Sequence, residues 1–164
     1  SKDAEVHLYE KRAGLGRKLL IAGSSGLNIS NSLPHKNFIT HYSSHNPKKN
    51  HWDQVLKKFS TKDWISFIEK ELNHETFLGT SDRYFVREMK ASNLLKSWIT
   101  FLEKKGLKIH PKHTLSDFES TDGKAIVRFQ EIPEEVFKFD KVIFALGGGS
   151  WEESEPEWCE LFRS

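Results

Sequence analysis

Val6-His7-Leu8-Tyr9-Glu10 opens the stretch whose reading decides the fold, and Gly23-Ser24-Ser25-Gly26-Leu27-Asn28-Ile29-Ser30-Asn31 closes it. Residues 5–9 read as a short apolar strand, ended by the acid Glu10. A dinucleotide-binding sheet presents a carboxylate to a ribose hydroxyl in this way. The phosphate-binding G-x-G-x-x-G that precedes such a strand by about 20 residues is not in the chain.

With 164 residues, 37% of them hydrophobic and 12% aromatic, the chain has the length and apolar content of one domain. Lys plus Arg is 25 and Asp plus Glu is 23, a net charge of +2. A dedicated nucleic-acid binder would concentrate a basic face. The lysine pairs 48–49, 57–58 and 104–105 are instead scattered and read as solvated helix faces. The single cysteine, Cys159, forms no internal disulfide and fits a reducing, cytoplasmic setting. No apolar run reaches the roughly 20 residues that span a bilayer, and the first residues lack the apolar core of a signal peptide.

Along the chain, residues 11–18 read as a basic loop, 19–22 as a strand or buried turn, and 23–45 as irregular, with Pro34 breaking any helix. Helices are expected over 50–59 and 62–72, the second capped by Ser60 or Thr61. Short strands follow at 75–78 and 84–86 around a turn at 79–83. The stripe Leu94, Leu95, Trp98, Ile99 and Leu102 predicts a helix over 90–105, with Ser92 as cap and Gly106 as its end. Strands are expected at 107–110, 113–118 and 125–129, the last two joined by a turn at 120–124. Residues 140–146 read as a strand buried on both faces of a parallel sheet, running into Gly147-Gly148-Gly149. The acidic tail holds one short helix from Pro156. This order is an α/β layered architecture.

Several groups here could carry chemistry. Glu10 could accept hydrogen bonds from both ribose hydroxyls, although strands also end in Glu for solubility. Lys11, Arg12, Arg17 and Lys18, with Gly14 and Gly16, could bring cations and backbone N–H groups to a phosphate, or be an ordinary surface loop. Gly23 and Gly26 allow close backbone approach, and Ser24, Ser25, Asn28, Ser30 and Asn31 add polar groups beside it. The same side chains could simply satisfy their own turn. Gly147 and Gly148 would let a ligand approach at the carboxyl end of the last strand. His35, His41, His45 and His51 lack a metal-ligand spacing, and no acid, base or nucleophile stands out as catalytic.

Taken together, these segments resemble the bacterial FAD-dependent oxidoreductases related to aminoacetone oxidase and the BaiN-type flavoproteins. The resemblance rests on Gly16-Arg17-Lys18-Leu19-Leu20-Ile21-Ala22-Gly23-Ser24-Ser25-Gly26-Leu27-Asn28 and Phe77-Leu78-Gly79-Thr80-Ser81. It rests equally on Met89-Lys90-Ala91-Ser92 and Ala145-Leu146-Gly147-Gly148-Gly149-Ser150-Trp151, in that order over nearly the whole chain. It implies an incomplete three-layer FAD/NAD(P)-binding, Rossmann-like domain with a small helical insert and a short antiparallel β-meander. Residues 1–46 would be a partial FAD-binding segment, 47–88 the mostly helical insert, 89–151 the return to the FAD domain and 152–164 an acidic tail.

The resemblance also assigns FAD-binding positions. Glu10 would hold the adenosine ribose, with Lys11, Arg17 and Lys18 near the cofactor. Ser24, Ser25, Gly26 and Asn28 would face the flavin side. The backbone at Thr114 and Leu115 would meet the adenine, and Ala145, Gly147 and Gly148 would line the FAD pocket. Two functions are expected in competition. One is a fragment of an FAD-dependent oxidoreductase acting on a small molecule. The other is a non-catalytic module that pairs through an exposed sheet edge, as a homodimer or with a complementing chain. Neither membrane nor nucleic acid is an expected partner.

Overall fold

The computed structural model describes residues 4–23, 26–42, 52–147 and 157–163. They show a Rossmann-like mixture of helices, one parallel strand pair and antiparallel strands. The chain divides into two compact units, residues 1–15 with 107–164 and residues 16–106. The divisions fall at Leu15 and Gly106, and the long helix over 91–104 lies within the second unit.

In the first unit, β1 (Val6–Glu10) runs parallel to β5 (Leu107–Pro111), with Tyr9 opposite His110 and Glu10 opposite Pro111. The remaining strands, β6 (Leu115–Thr121), β7 (Lys124–Phe129) and β8 (Phe137–Phe139), form an antiparallel meander. Thr121 pairs with Lys124 across Asp122 and Gly123, both at positive φ (50° and 73°). That is the two-residue hairpin turn whose twist matches its strands. Alternation along β7 buries Val127 and Phe129.

One face of the parallel pair is aromatic. Side chains alternate along a strand, so His7 and Tyr9 share a face with His110. Tyr9 stacks on His110 (centroids 4.5 Å apart) and on Phe129 (4.6 Å), and meets Phe137 and Phe139 edge-on. These contacts seat β1 and β5 on the meander.

The second unit packs α4 (Thr61–Lys70) and α5 (Ala91–Lys104) against the antiparallel sheet β2 (Asn28–Asn31), β4 (Arg83–Val86) and β3 (Thr76–Leu78). Its core joins Leu27, Ile68, Leu72, Val86, Ala91 and Leu94. Ser60 caps α4 in a capping box: its hydroxyl accepts from the Asp63 N–H, and the Asp63 carboxylate accepts from the Ser60 N–H at 2.8 Å. Shorter helices are α1 (Arg17–Ala22), α2 (His35–Phe38) and α3 (Trp52–Lys58).

Several expectations change. Residues 19–22 are helical, and Arg17 and Lys18 stand on the first turn of α1 rather than in a loop. Every residue from 17 to 22 except Ile21 is a good helix former, and Leu19 turns toward the core. Pro34 starts α2 from its N-cap instead of preventing a helix. The cap of α5 is Lys90, not Ser92.

The largest change concerns residues 140–146. They form no strand, and Ile143 is 91% exposed. Apolar composition supplies strand propensity, but a strand also needs a hydrogen-bonding neighbour. Among the described residues, β1 has only β5 as a neighbour and offers 140–146 none. Phe144 packs instead on Phe118 and Phe162 (4.6 and 5.1 Å). The 3-10 helix Glu157–Phe162 matches the short helix expected in the tail.

Candidate functional site

The first unit brings Glu10, Lys11, Thr114 and Leu115 to the carboxyl end of the parallel pair. The chain leaves β1 through a tight turn in which Glu10 Oε1 accepts the Arg12 N–H at 2.8 Å. The Glu10 carbonyl accepts the His113 N–H at 2.9 Å, and the Arg12 carbonyl accepts the Lys112 N–H at 3.1 Å. The ends of both strands are thereby locked together. Oε2 of Glu10 has no partner among the described residues. One carboxylate oxygen is fixed and the other is available to a donor.

Thr114 is more occupied. Its N–H donates to Glu131 Oε2 at 2.7 Å, its hydroxyl to Oε1 at 2.6 Å, and its carbonyl accepts the Gln130 N–H at 2.9 Å. These bonds hold the Glu131 carboxyl below its ordinary pKa, the Thr114 hydroxyl bond contributing most. A ligand reaching the Thr114 backbone competes with Glu131. No sequence pattern marks that clamp, because an acid after a strand is commonplace. Leu115 is paired with Phe129 just before a register shift. Ala145 and Gly147 are exposed, Gly147 at φ 81°. Gly148 lies outside the described residues, as do Ser24 and Ser25.

Behind Glu10 on the shared aromatic face lies a histidine chain. His7 Nδ1 and His110 Nε2 are 2.9 Å apart, and His7 Nε2 is 3.2 Å from Glu5 Oε1. The His113 Nδ1–H donates to the Pro111 carbonyl at 2.8 Å. Burial, followed by the charges of His7, His113 and Lys108, holds the His110 imidazole below the ordinary histidine pKa. The unfolded chain therefore binds this proton more tightly than the folded chain. Stability is full above the unfolded value of about 6.5 and falls as pH drops below it. Urea midpoints measured from pH 8 to pH 5 should fall with acidity, and His110→Gln should flatten that slope. An unchanged slope in the variant would remove His110 as its source.

In the second unit, Arg17 and Lys18 are exposed on α1, and Asn28 opens β2 opposite Phe85. The intervening glycines are wedged. A Cβ on Gly23 would lie 2.4 Å from the Ala91 Cβ, and one on Gly26 (φ 123°) 2.4 Å from the Met89 Cε. Met89 itself sits at φ 52°. Gly23 and Gly26 thus close on Ala91 and Met89 respectively. That accounts for small residues at 23 and 91. The start of α5 lies in the same contact, with no side-chain cap and no acid in its first turn, so it presents the positive end of a 14-residue helix.

An acid on a parallel strand end and a glycine turn against a helix N-terminus are the parts of a dinucleotide-binding fold. A family model, the HI0933-like protein Rossmann domain, matches residues 1–163. The chain belongs to the HI0933-like Rossmann family. No curated protein matches it. The described part of this HI0933-like domain has no helix long and apolar enough to cross a membrane. Among the same residues, no group of three or more His, Cys, Asp or Glu side chains could hold a metal ion.

Proposed function

We propose that this HI0933-like chain carries the adenosine end of an FAD site, in a cytoplasmic flavin-dependent oxidoreductase related to aminoacetone oxidase and the BaiN-type flavoproteins. The observation that carries the reading is Glu10, at the end of a parallel strand with Oε1 fixed by the Arg12 N–H and Oε2 without a described partner. A carboxylate held this way accepts from a ribose diol without reorganising. Lys11 is exposed beside it. The second unit, taken by itself, carries cations at Arg17 and Lys18, a close backbone at Gly26 and an amide at Asn28. FAD, when bound, supplies the redox chemistry; the protein's residues bind and orient it.

Purified protein incubated with FAD and then desalted should keep a flavin absorption spectrum. Glu10→Gln should weaken FAD binding by about 1.5–3 kcal/mol, the range for a hydrogen bond to a charged group. Calorimetry reads this directly, and an affinity unchanged by the substitution would refute the ribose role.

A second reading, a module that pairs through its sheet edge, is favoured by one observation. Only one edge of β1 is paired in the described structure, and Ile143 in the apolar run 140–146 is 91% exposed. Such edges template further strands. A homodimer, or capture of a complementing strand, would appear as a mass increase in light scattering that Ile143→Lys abolishes. A yellow protein that remains monomeric would leave the first reading alone.

A further inference from the structure

The second unit contains a buried histidine that the FAD reading does not use. His74 is 6% exposed, and both its ring nitrogens are engaged. Nδ1 lies 3.0 Å from Glu88 Oε2, and Nε2 lies 2.9 Å from Ser97 Oγ. The fold dictates this meeting. Thr76 pairs with Val86 in the hairpin of β3 and β4, and the Arg87 N–H continues the ladder to the Glu75 carbonyl at 2.8 Å. One step further along that register, His74 stands opposite Glu88. An ion pair between Arg87 Nε and Glu75 Oε2 at 2.7 Å ties the same rung. Ser97 lies three residues after the buried Leu94 on α5, hence on the same helix face.

The donors and acceptors permit one neutral arrangement. A carboxylate only accepts, so Nδ1 carries the proton toward Glu88. Nε2 is then a lone-pair acceptor, and the Ser97 hydroxyl donates to it. Carboxylate, imidazole and hydroxyl in this order are how a serine is activated as a nucleophile, recognised by geometry rather than by position in the chain. A groove of about 270 Å³ has His74 among its lining residues, with Glu69, Asn73, Glu75 and Thr76. Ser97 is half-buried, not sealed.

We propose that Ser97 is an activated nucleophile that captures small acyl or phosphonyl electrophiles, with His74 as its base and Glu88 as the group that orients His74. In the step, Ser97 Oγ bonds to the acyl carbon or phosphorus while its proton passes to His74 Nε2. The leaving group departs with its bonding electron pair, as fluoride from a fluorophosphonate or as an alkoxide that takes the proton back from Nε2. The product is an O-acyl or O-phosphonyl serine, with no change in oxidation state.

The test uses the whole chain and an alkyl fluorophosphonate, followed by peptide mass mapping. One adduct is expected, on Ser97, and it is absent in Ser97→Ala. Glu88 is 44% exposed, so Glu88→Gln should leave the fold intact, as a thermal melt would check. That variant should label about tenfold more slowly, and His74→Gln more slowly still. No adduct on Ser97 in folded protein, or labelling at the same rate in Glu88→Gln, would overturn the proposal and leave the three groups as a structural pin.

Discussion

Ile68→Ala is expected to destabilise the second unit by about 2–5 kcal/mol, the range for deleting a large buried aliphatic side chain. Ile68 is 0% exposed and lies on α4 within the cluster of Leu27, Leu72, Val86, Ala91 and Leu94. Trp64, Phe67, Trp98 and Phe101 pack around that cluster and resist collapse into the space left behind. Trp64 is further tied by its indole N–H, which donates to the Ile29 carbonyl at 3.1 Å. The void should therefore persist, placing the cost in the upper half of the range. Guanidinium unfolding followed by tryptophan fluorescence measures it, since Trp64 and Trp98 both border the cluster. A loss below about 1 kcal/mol would show that the site repacks.

The same substitution bears on the site. Leu27 is buried in this cluster and lies between Gly26 and Asn28, two positions proposed to approach the flavin. Leu27 is the buried side chain between them, so their placement depends on that anchor. Ile68→Ala should weaken FAD binding as well as stability, without touching a ligand.

The legible parts of the fold were those where periodicity and packing agree. Helix α5 and the hairpin of β6 and β7 show their apolar pattern and end at turn residues the backbone requires, Gly106 at φ 93° and Gly123 at φ 73°. Two strands lie where the sequence reading places none, β2 within the stretch 23–45 read as irregular and β8 after Pro133. In β2, Asn28-Ile29-Ser30-Asn31 has one apolar side chain, and its strand character comes from pairing with β4. In β8, Phe137-Lys138-Phe139 alternates but is too short to stand out after Pro133. Residues 140–146 mislead in the opposite direction, because their composition is that of a strand and their described surroundings offer no partner. The place of Glu10 at the end of β1 is legible because an acid ending an apolar strand is a local pattern. The Glu131 clamp on Thr114 and the meeting of His74, Glu88 and Ser97 depend on sheet register and helix packing. Neither leaves a signature in residue spacing.

Tyr9→Ala should cost the first unit about 3–5 kcal/mol, the range for truncating a packed aromatic ring. Tyr9 lies one residue before Glu10 and is the ring through which β1 grips its surroundings. It stacks on His110 and Phe129 and meets His113, Phe137 and Phe139 edge-on. Phe129 is buried at 3% exposure, with Val127 beside it in β7, so the ring bridges β1 to the meander's own core. Aromatic pairs in these geometries add about 0.5–1.5 kcal/mol beyond the area they bury. Tyr9→Phe keeps every ring contact and should cost under about 1.5 kcal/mol, as shape-conserving exchanges do. The hydroxyl gives a second readout. Burial raises the phenol's pKa, so the folded state holds this proton more tightly than the unfolded chain. That stabilisation is complete below the unfolded value of about 10 and lost as pH rises through the folded value. Denaturant midpoints measured up to pH 11 should fall for the parent and fall less for Tyr9→Phe. With Tyr9→Ala, the Glu10 carboxylate loses the ring that seats its strand, so FAD affinity should drop even where the protein remains folded. Retained affinity alongside the predicted loss of stability would separate the seat of β1 from the site it carries.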